Sequence, residues 1–145
     1  MKIAIGADHA GFEVKEQLKN YLKDKGYQVA DFGTYSNGSC DYPDYAFQTA
    51  KAVADKLCDR AILVCGTGIG VSICANKVKG VRCGLCHDLF TAKMCREHND
   101  ANCLAVGARV VELPVILQMV DVFLSTDFLG DKHARRIEKI NKYEQ

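Results

Sequence analysis

Long apolar runs are missing from this 145-residue chain. The opening stretch, MKIAIGADHAG, is too short in its apolar part for a signal peptide. No later run approaches the roughly 20 residues of a membrane span. The expectation is a cytoplasmic protein with no membrane partner. An excess of one charge is missing too: 19 basic residues face 18 acidic ones, a net +1. With no basic stripe either, nucleic acid and acidic membrane surfaces are poor partners. Proline is scarce, two residues against 12 glycines, and 48% of the chain is apolar. That composition excludes a disordered chain and suits one full core. The length fits a single domain over residues 1–145.

Cysteine, by contrast, is plentiful, with eight residues. A secreted chain would turn them into disulfides. In a reducing cytosol they read as small buried fillers plus one reactive thiol. CGLC (83–86), followed by His87, has the look of a metal or redox site. It lacks the second ligand pair that a zinc site needs. Within a strand, Cys83 and Cys86 would also point to opposite faces. No metal or other cofactor is expected. Cys40, Cys58, Cys74, Cys95 and Cys103 have no partner motif and read as packing.

Apolar runs and turn residues alternate along the chain. Strands are predicted at 2–7, 27–33, 60–65, 81–86 and 103–107. Helices are predicted at 11–26, 43–57, 69–77, 89–99, 114–125 and 133–144. In the first helix Phe12, Val14, Leu18, Tyr21 and Leu22 fall near helical spacing, and Gly26 is a natural terminator. The strand runs are continuous rather than alternating, so both sheet faces are covered. The pattern predicts an α/β fold, a three-layer αβα sandwich with a five-stranded parallel sheet, Rossmann-like. The segment 113–124 is apolar nearly all round. It is either sandwiched inside the domain or meets a second copy of the chain, and the second reading is favoured.

The stretch AILVCGTGIGVSICANK (61–77) carries the chemistry. Parallel sheets hold ligands at the carboxyl ends of their strands, where Cys65 stands. Gly66, Gly68 and Gly70 let the backbone turn tightly and aim N–H groups at one spot, at the start of a helix. Such a place suits a phosphate or an oxyanion, and favours a thiolate. A Walker loop would need Gly-Lys-Ser/Thr where Val71 and Ser72 stand, and a dinucleotide fingerprint would need a third glycine or an alanine at Val71. Taken alone, Cys65 could still be a buried, inert thiol. Asp8 and His9 end the first strand and Arg109 follows the fifth, on the same rim. His98 and Asn99 end a helix instead, where a histidine can simply cap it.

Together, GADHAG, DYPDYA, CGTGIG with ANK, and REHNDANCLAVGARVV resemble the type B ribose-5-phosphate isomerases, within the ribose/galactose-phosphate isomerase family. The resemblance spans the chain, in order. It implies that Cys65 moves the proton between C1 and C2 and that the turn Gly66–Thr67–Gly68–Ile69–Gly70 holds the enediolate. Thr67 lies beside the reacting carbons. His98 opens the furanose ring, assisted by Asp8. Asn99 touches a sugar hydroxyl, Tyr42 lines the pocket, and His9 and Arg109 contact substrate and phosphate. Lys132 and Arg136, in a C-terminal helix of about 131–144, reach the phosphate of a partner subunit in a homodimer or dimer of dimers. One branch of the family uses a glutamate base where this chain has Val71. The family usually has arginine at Lys132, and lysine keeps the charge but not the bidentate fork.

The resemblance thus implies interconversion of D-ribose 5-phosphate and D-ribulose 5-phosphate, in the pentose phosphate pathway of carbohydrate metabolism. Rival substrates are allose or galactose 6-phosphate. In the galactose branch two different chains share the catalytic parts, whereas this chain holds Asp8, His9, Cys65, Thr67 and His98 together. A non-catalytic sugar-phosphate binding module is the alternative from another class, and it would need no thiol.

Overall fold

The computed structural model describes residues 1–144; Gln145, the last residue of the predicted domain, lies outside the described residues. The strands are β1 (Lys2–Ala7), β2 (Gln28–Asp31), β3 (Arg60–Cys65), β4 (Cys83–Leu85) and β5 (Cys103–Gly107). The helices are α1 (Phe12–Asp24), α2 (Tyr42–Ala54), α3 (Ile69–Asn76), α4 (Leu89–Glu97), α5 (Leu113–Ser125) and α6 (Lys132–Tyr143). The sheet is parallel throughout, in the order β2-β1-β3-β5-β4. Each predicted element is present.

The central strands β1, β3 and β5 are buried on both faces, as their continuous apolar runs require. On one face Leu18 and Leu22 of α1, Ala92 of α4, and Ile116, Met119 and Phe123 of α5 pack on Ile3, Ile5, Ile62 and Leu104. Each fully buried Leu, Ile or Phe contributes about 1.5–3 kcal/mol. On the other face Ala46 and Ala50 of α2 and Val71 and Ala75 of α3 meet Ala4, Ala61, Leu63 and Ala105. Small residues bring this layer close. A Cβ on Gly6 would stand 2.0 Å from the Thr49 hydroxyl oxygen of α2.

The edge strands are shorter than predicted. β2 and β4 each have one neighbour and are only half-buried. At the start of β4, two asparagines take over the pairing. Asn102 Oδ1 accepts the Arg82 N–H at 2.8 Å, and Asn76 Oδ1 accepts the Cys83 N–H at 2.8 Å. Cys83 packs in the α2/α3 layer and Cys86 in the opposite one, so the two thiols do face apart.

Gly26 does terminate α1. It lies at φ 91°, its N–H donates to Lys23 O at 3.0 Å, and the Tyr27 N–H donates to Leu22 O at 3.1 Å. These are the two bonds of a Schellman motif. The favoured reading of α5 needs correction. Ile116, Met119, Val120, Phe123 and Leu124 are buried against the sheet and α4, so most of its apolar surface is used within the chain. By contrast α6 buries only Ile137 among its described residues.

Candidate active site

The carboxyl ends of β1, β3 and β5 open into a cleft of about 510 Å³. Asp8, His9, Tyr42, Cys65, Gly66, Thr67, Ile69, Gly70 and Arg109 line it, so most of the predicted residues converge. The register explains why: Ala7 pairs with Val64 and Cys65 with Gly107, so the residues after each strand emerge at one level.

Cys65 is 5% exposed at the floor. The Gly68 N–H donates to its Sγ at 3.1 Å. A thiolate is the form of sulfur that such a donor suits. Burial pushes the nearby Cys74 thiol up, and Cys65 adds to the effect. Gly68 caps α3 at φ 81°, a conformation open to glycine and costly for other residues. Among the described residues, no protein acceptor takes the backbone N–H groups of Gly66, Thr67, Gly70 or Val71. They are the orphan donors of a helix start, and the glycine turn places them beside the thiol. The Thr67 hydroxyl oxygen accepts the Ile69 N–H at 3.2 Å, which shapes the turn.

Asp8 is 7% exposed. Its Oδ1 accepts the N–H groups of Ala10 (2.9 Å) and Gly11 (3.1 Å), so the carboxylate is held by the start of α1. The Cys40 N–H donates to His9 Nδ1 at 3.3 Å, which in the neutral ring leaves the proton on Nε2. The Tyr42 ring lies against Gly70, where a Cβ would come within 2.6 Å of Cε1. Arg109 is exposed, and among the described residues no carboxylate pairs with it. Its Nη1 would lie 3.3 Å from a Cβ on Gly66, so the guanidinium overhangs the turn. A thiol, a ring of N–H donors and a free cation can therefore take a proton from carbon, hold an oxyanion and bind a phosphate.

Five predicted residues do not line this cleft: Gly68, whose N–H instead faces Cys65 Sγ from beneath the turn, and His98, Asn99, Lys132 and Arg136. His98 ends α4 and so lies beyond the amino end of β5, whereas Cys65 stands level with the carboxyl end at Gly107. The length of β5 alone separates those levels by about 13 Å. His98 instead stacks on His133, beside Lys132, with ring centroids 4.3 Å apart. Sequence reasoning missed Ile73, which lines the cleft one helical turn after Ile69. The i, i+4 spacing was its signal. Ile69 and Ile73 are 50% and 54% exposed, an uncovered apolar flank beside the site.

The family model described as Ribose/Galactose Isomerase matches residues 3–140. Ribose-5-phosphate isomerase B of Escherichia coli is 45% identical over 99% of this chain and 97% of its own length. D-erythrulose-4-phosphate isomerase of Pectobacterium atrosepticum is 41% identical over 99% of this chain and 95% of its own. The solved structure of ribose-5-phosphate isomerase B from Clostridium thermocellum superposes with a TM-score of 0.98, at 51% identity, over 99% of this chain and 97% of that one.

Proposed function

The chain belongs to the ribose/galactose isomerase family and is a sugar-phosphate isomerase, and from that premise we propose that it interconverts D-ribose 5-phosphate and D-ribulose 5-phosphate through a cis-enediolate. The observation that carries the reading is the Cys65 thiol facing a turn of unpaired N–H donors. The Cys65 thiolate takes the proton from C2 of the open-chain aldose. The electron pair moves toward the C1 oxygen, and the free N–H donors of the turn, those of Gly66, Thr67 and Gly70, stabilise the enediolate. The thiol returns its proton to C1 while the hydroxyl proton passes from O2 to O1. No electrons leave the substrate, so no redox cofactor is called for. Thr67 lies beside the reacting carbons, and Asp8 and His98 serve ring opening. Tyr42, Ile69 and Asn99 line the sugar, and His9 and Arg109 hold the phosphate end.

A second copy completes the site. Lys132 and Arg136 are exposed, without ion pairs among the described residues, and they share α6 with His133, on which His98 stacks. A partner that delivers α6 to the cleft therefore delivers His98 and Asn99 as well. The apolar flank of Ile69 and Ile73 gives that partner something to cover. The C-terminal helix thus serves the neighbour's site while the rest of the chain forms its own.

A broader sugar range is the second reading, favoured by the likeness to a D-erythrulose-4-phosphate isomerase and by Lys132 in place of the family's arginine. Turnover of four-, five- and six-carbon sugar phosphates separates the two. Ribose 5-phosphate should show the highest kcat/KM, and a higher value for any other sugar overturns the assignment. Cys65→Ala should lower kcat between roughly 10² and 10⁴-fold, and Cys65→Ser nearly as much, since a hydroxyl is scarcely ionised at neutral pH. In D₂O the wild type should place deuterium at the transferred carbon position of the product. Full activity in Cys65→Ala would exclude the thiol as base.

A further inference from the structure

His98 stands at the end of α4 with an exposed ring. Among the described residues no side-chain hydrogen bond holds that ring. Imidazole torsions about χ2 are broad, so an unsupported ring on a helix end samples many orientations. What restrains it is His133, the second residue of α6. The two rings lie nearly parallel, 12° apart, with centroids at 4.3 Å. The main chain backs this contact: the Leu129 N–H, just before α6, donates to Glu97 O in the last turn of α4 at 3.1 Å.

We propose that His133 is a positioning residue for His98, its stacked ring fixing the plane in which His98 meets the sugar's ring oxygen. The proposal rests on the ring-opening role given to His98 above. Lys132, His133 and Arg136 fall at i, i+1 and i+4, so His133 shares a face of α6 with Arg136. The helix that carries the phosphate cations thus also orients the ring-opening group, and both reach the substrate in one register. Proton transfer depends steeply on such alignment.

Charge favours the same arrangement. Two stacked imidazolium ions would repel each other, and Lys132 and Arg136 add to that repulsion against the single carboxylate of Asp131. Desolvation pushes His133 below its ordinary value, and His98, Lys132 and Arg136 push it the same way. These effects favour the neutral ring of His133 in the stack.

The test compares His133→Ala, His133→Phe and His98→Asn with wild type, using ribose 5-phosphate in steady state and in single turnover. Melting temperatures establish that each variant is folded. His133→Ala should lower kcat about tenfold and leave KM within about twofold, because Lys132 and Arg136 remain. His133→Phe keeps a flat ring in the stack and should recover kcat to within about twofold of wild type. A raised KM with unchanged kcat in His133→Ala would show that the residue only docks α6, and overturns the proposal. A Phe variant as slow as the Ala variant would show that the imidazole acts chemically, which also overturns it. Both variants at wild-type rate, with His98→Asn inactive, would overturn the stack while leaving the ring-opening role standing. Wild-type turnover in His98→Asn would instead remove that role, and the positioning role with it.

Discussion

A methyl group on Gly68 would meet Leu85 Cδ1 at 2.7 Å and the Val106 carbonyl carbon at 2.9 Å, in a backbone conformation already unfavourable for L-residues. Gly68→Ala should therefore cost about 2 kcal/mol of stability. By displacing the N–H that faces Cys65 Sγ, it should also lower kcat by roughly 10²-fold. Urea unfolding and steady-state turnover check the two effects, and a variant with wild-type kcat would remove this donor from the account. At this scale the sequence is legible where a candidate side chain ends a strand or comes just after one. Cys65 ends β3, Asp8 and His9 follow β1 and Arg109 lies just past β5, and they converge in the cleft. Lys15 is not legible in this way. In FEVKEQLKNYLKD it resembles every other lysine of a helix surface, yet it is fully buried, with Nζ 2.7 Å from Asp31 Oδ2. Only the tertiary contact of α1 with β2 distinguishes it.

That pair governs how one element is anchored to the next. Lys15 Nζ donates to both carboxylate oxygens of Asp31, at 2.8 and 2.7 Å, and the Gly33 N–H adds a third bond. Burial opposes the charged carboxylate, but Lys15, Gly33 and Lys19 outweigh it and hold Asp31 below its ordinary value. A depressed carboxylate stabilises the fold above its unfolded value of about 3.9. The contribution is lost as pH falls through the lower folded value. Lys15→Met should cost about 3 kcal/mol at pH 7, because it leaves a buried charge short of its partner. The double variant Lys15→Met/Asp31→Leu should recover most of that loss. Once the pH has fallen far enough to protonate Asp31 in the folded protein, the single variant should approach wild type, and an unchanged gap there would exclude the ion pair as the cause. Element ends were legible where a local rule sets them, as at Gly26. They were not legible at β4, where Asn76 and Asn102, distant in sequence, replace strand pairing. Nor does composition reveal that α5 spends its apolar faces on its own sheet and on α4.

For the whole molecule, the alternation of strands and helices was enough to give the layers and the parallel sheet. The order β2-β1-β3-β5-β4 then places side by side the three strand ends that open into the cleft. The position of His98 was not legible. A residue before a strand belongs to the opposite end of the sheet from one after a strand, and nothing in a single chain folds one onto the other. The central claim is that two copies share each catalytic site, Cys65 from one and His98 from the other. The direct measurement mixes Cys65→Ala with His98→Asn, each nearly inactive on ribose 5-phosphate alone, after joint unfolding and refolding. In a two-fold dimer every mixed molecule holds one site with both lesions and one with neither. Random pairing should restore about a quarter of wild-type sites. Activity that stays at the level of the separate variants, with mixed dimers confirmed by mass spectrometry, would contradict the shared site.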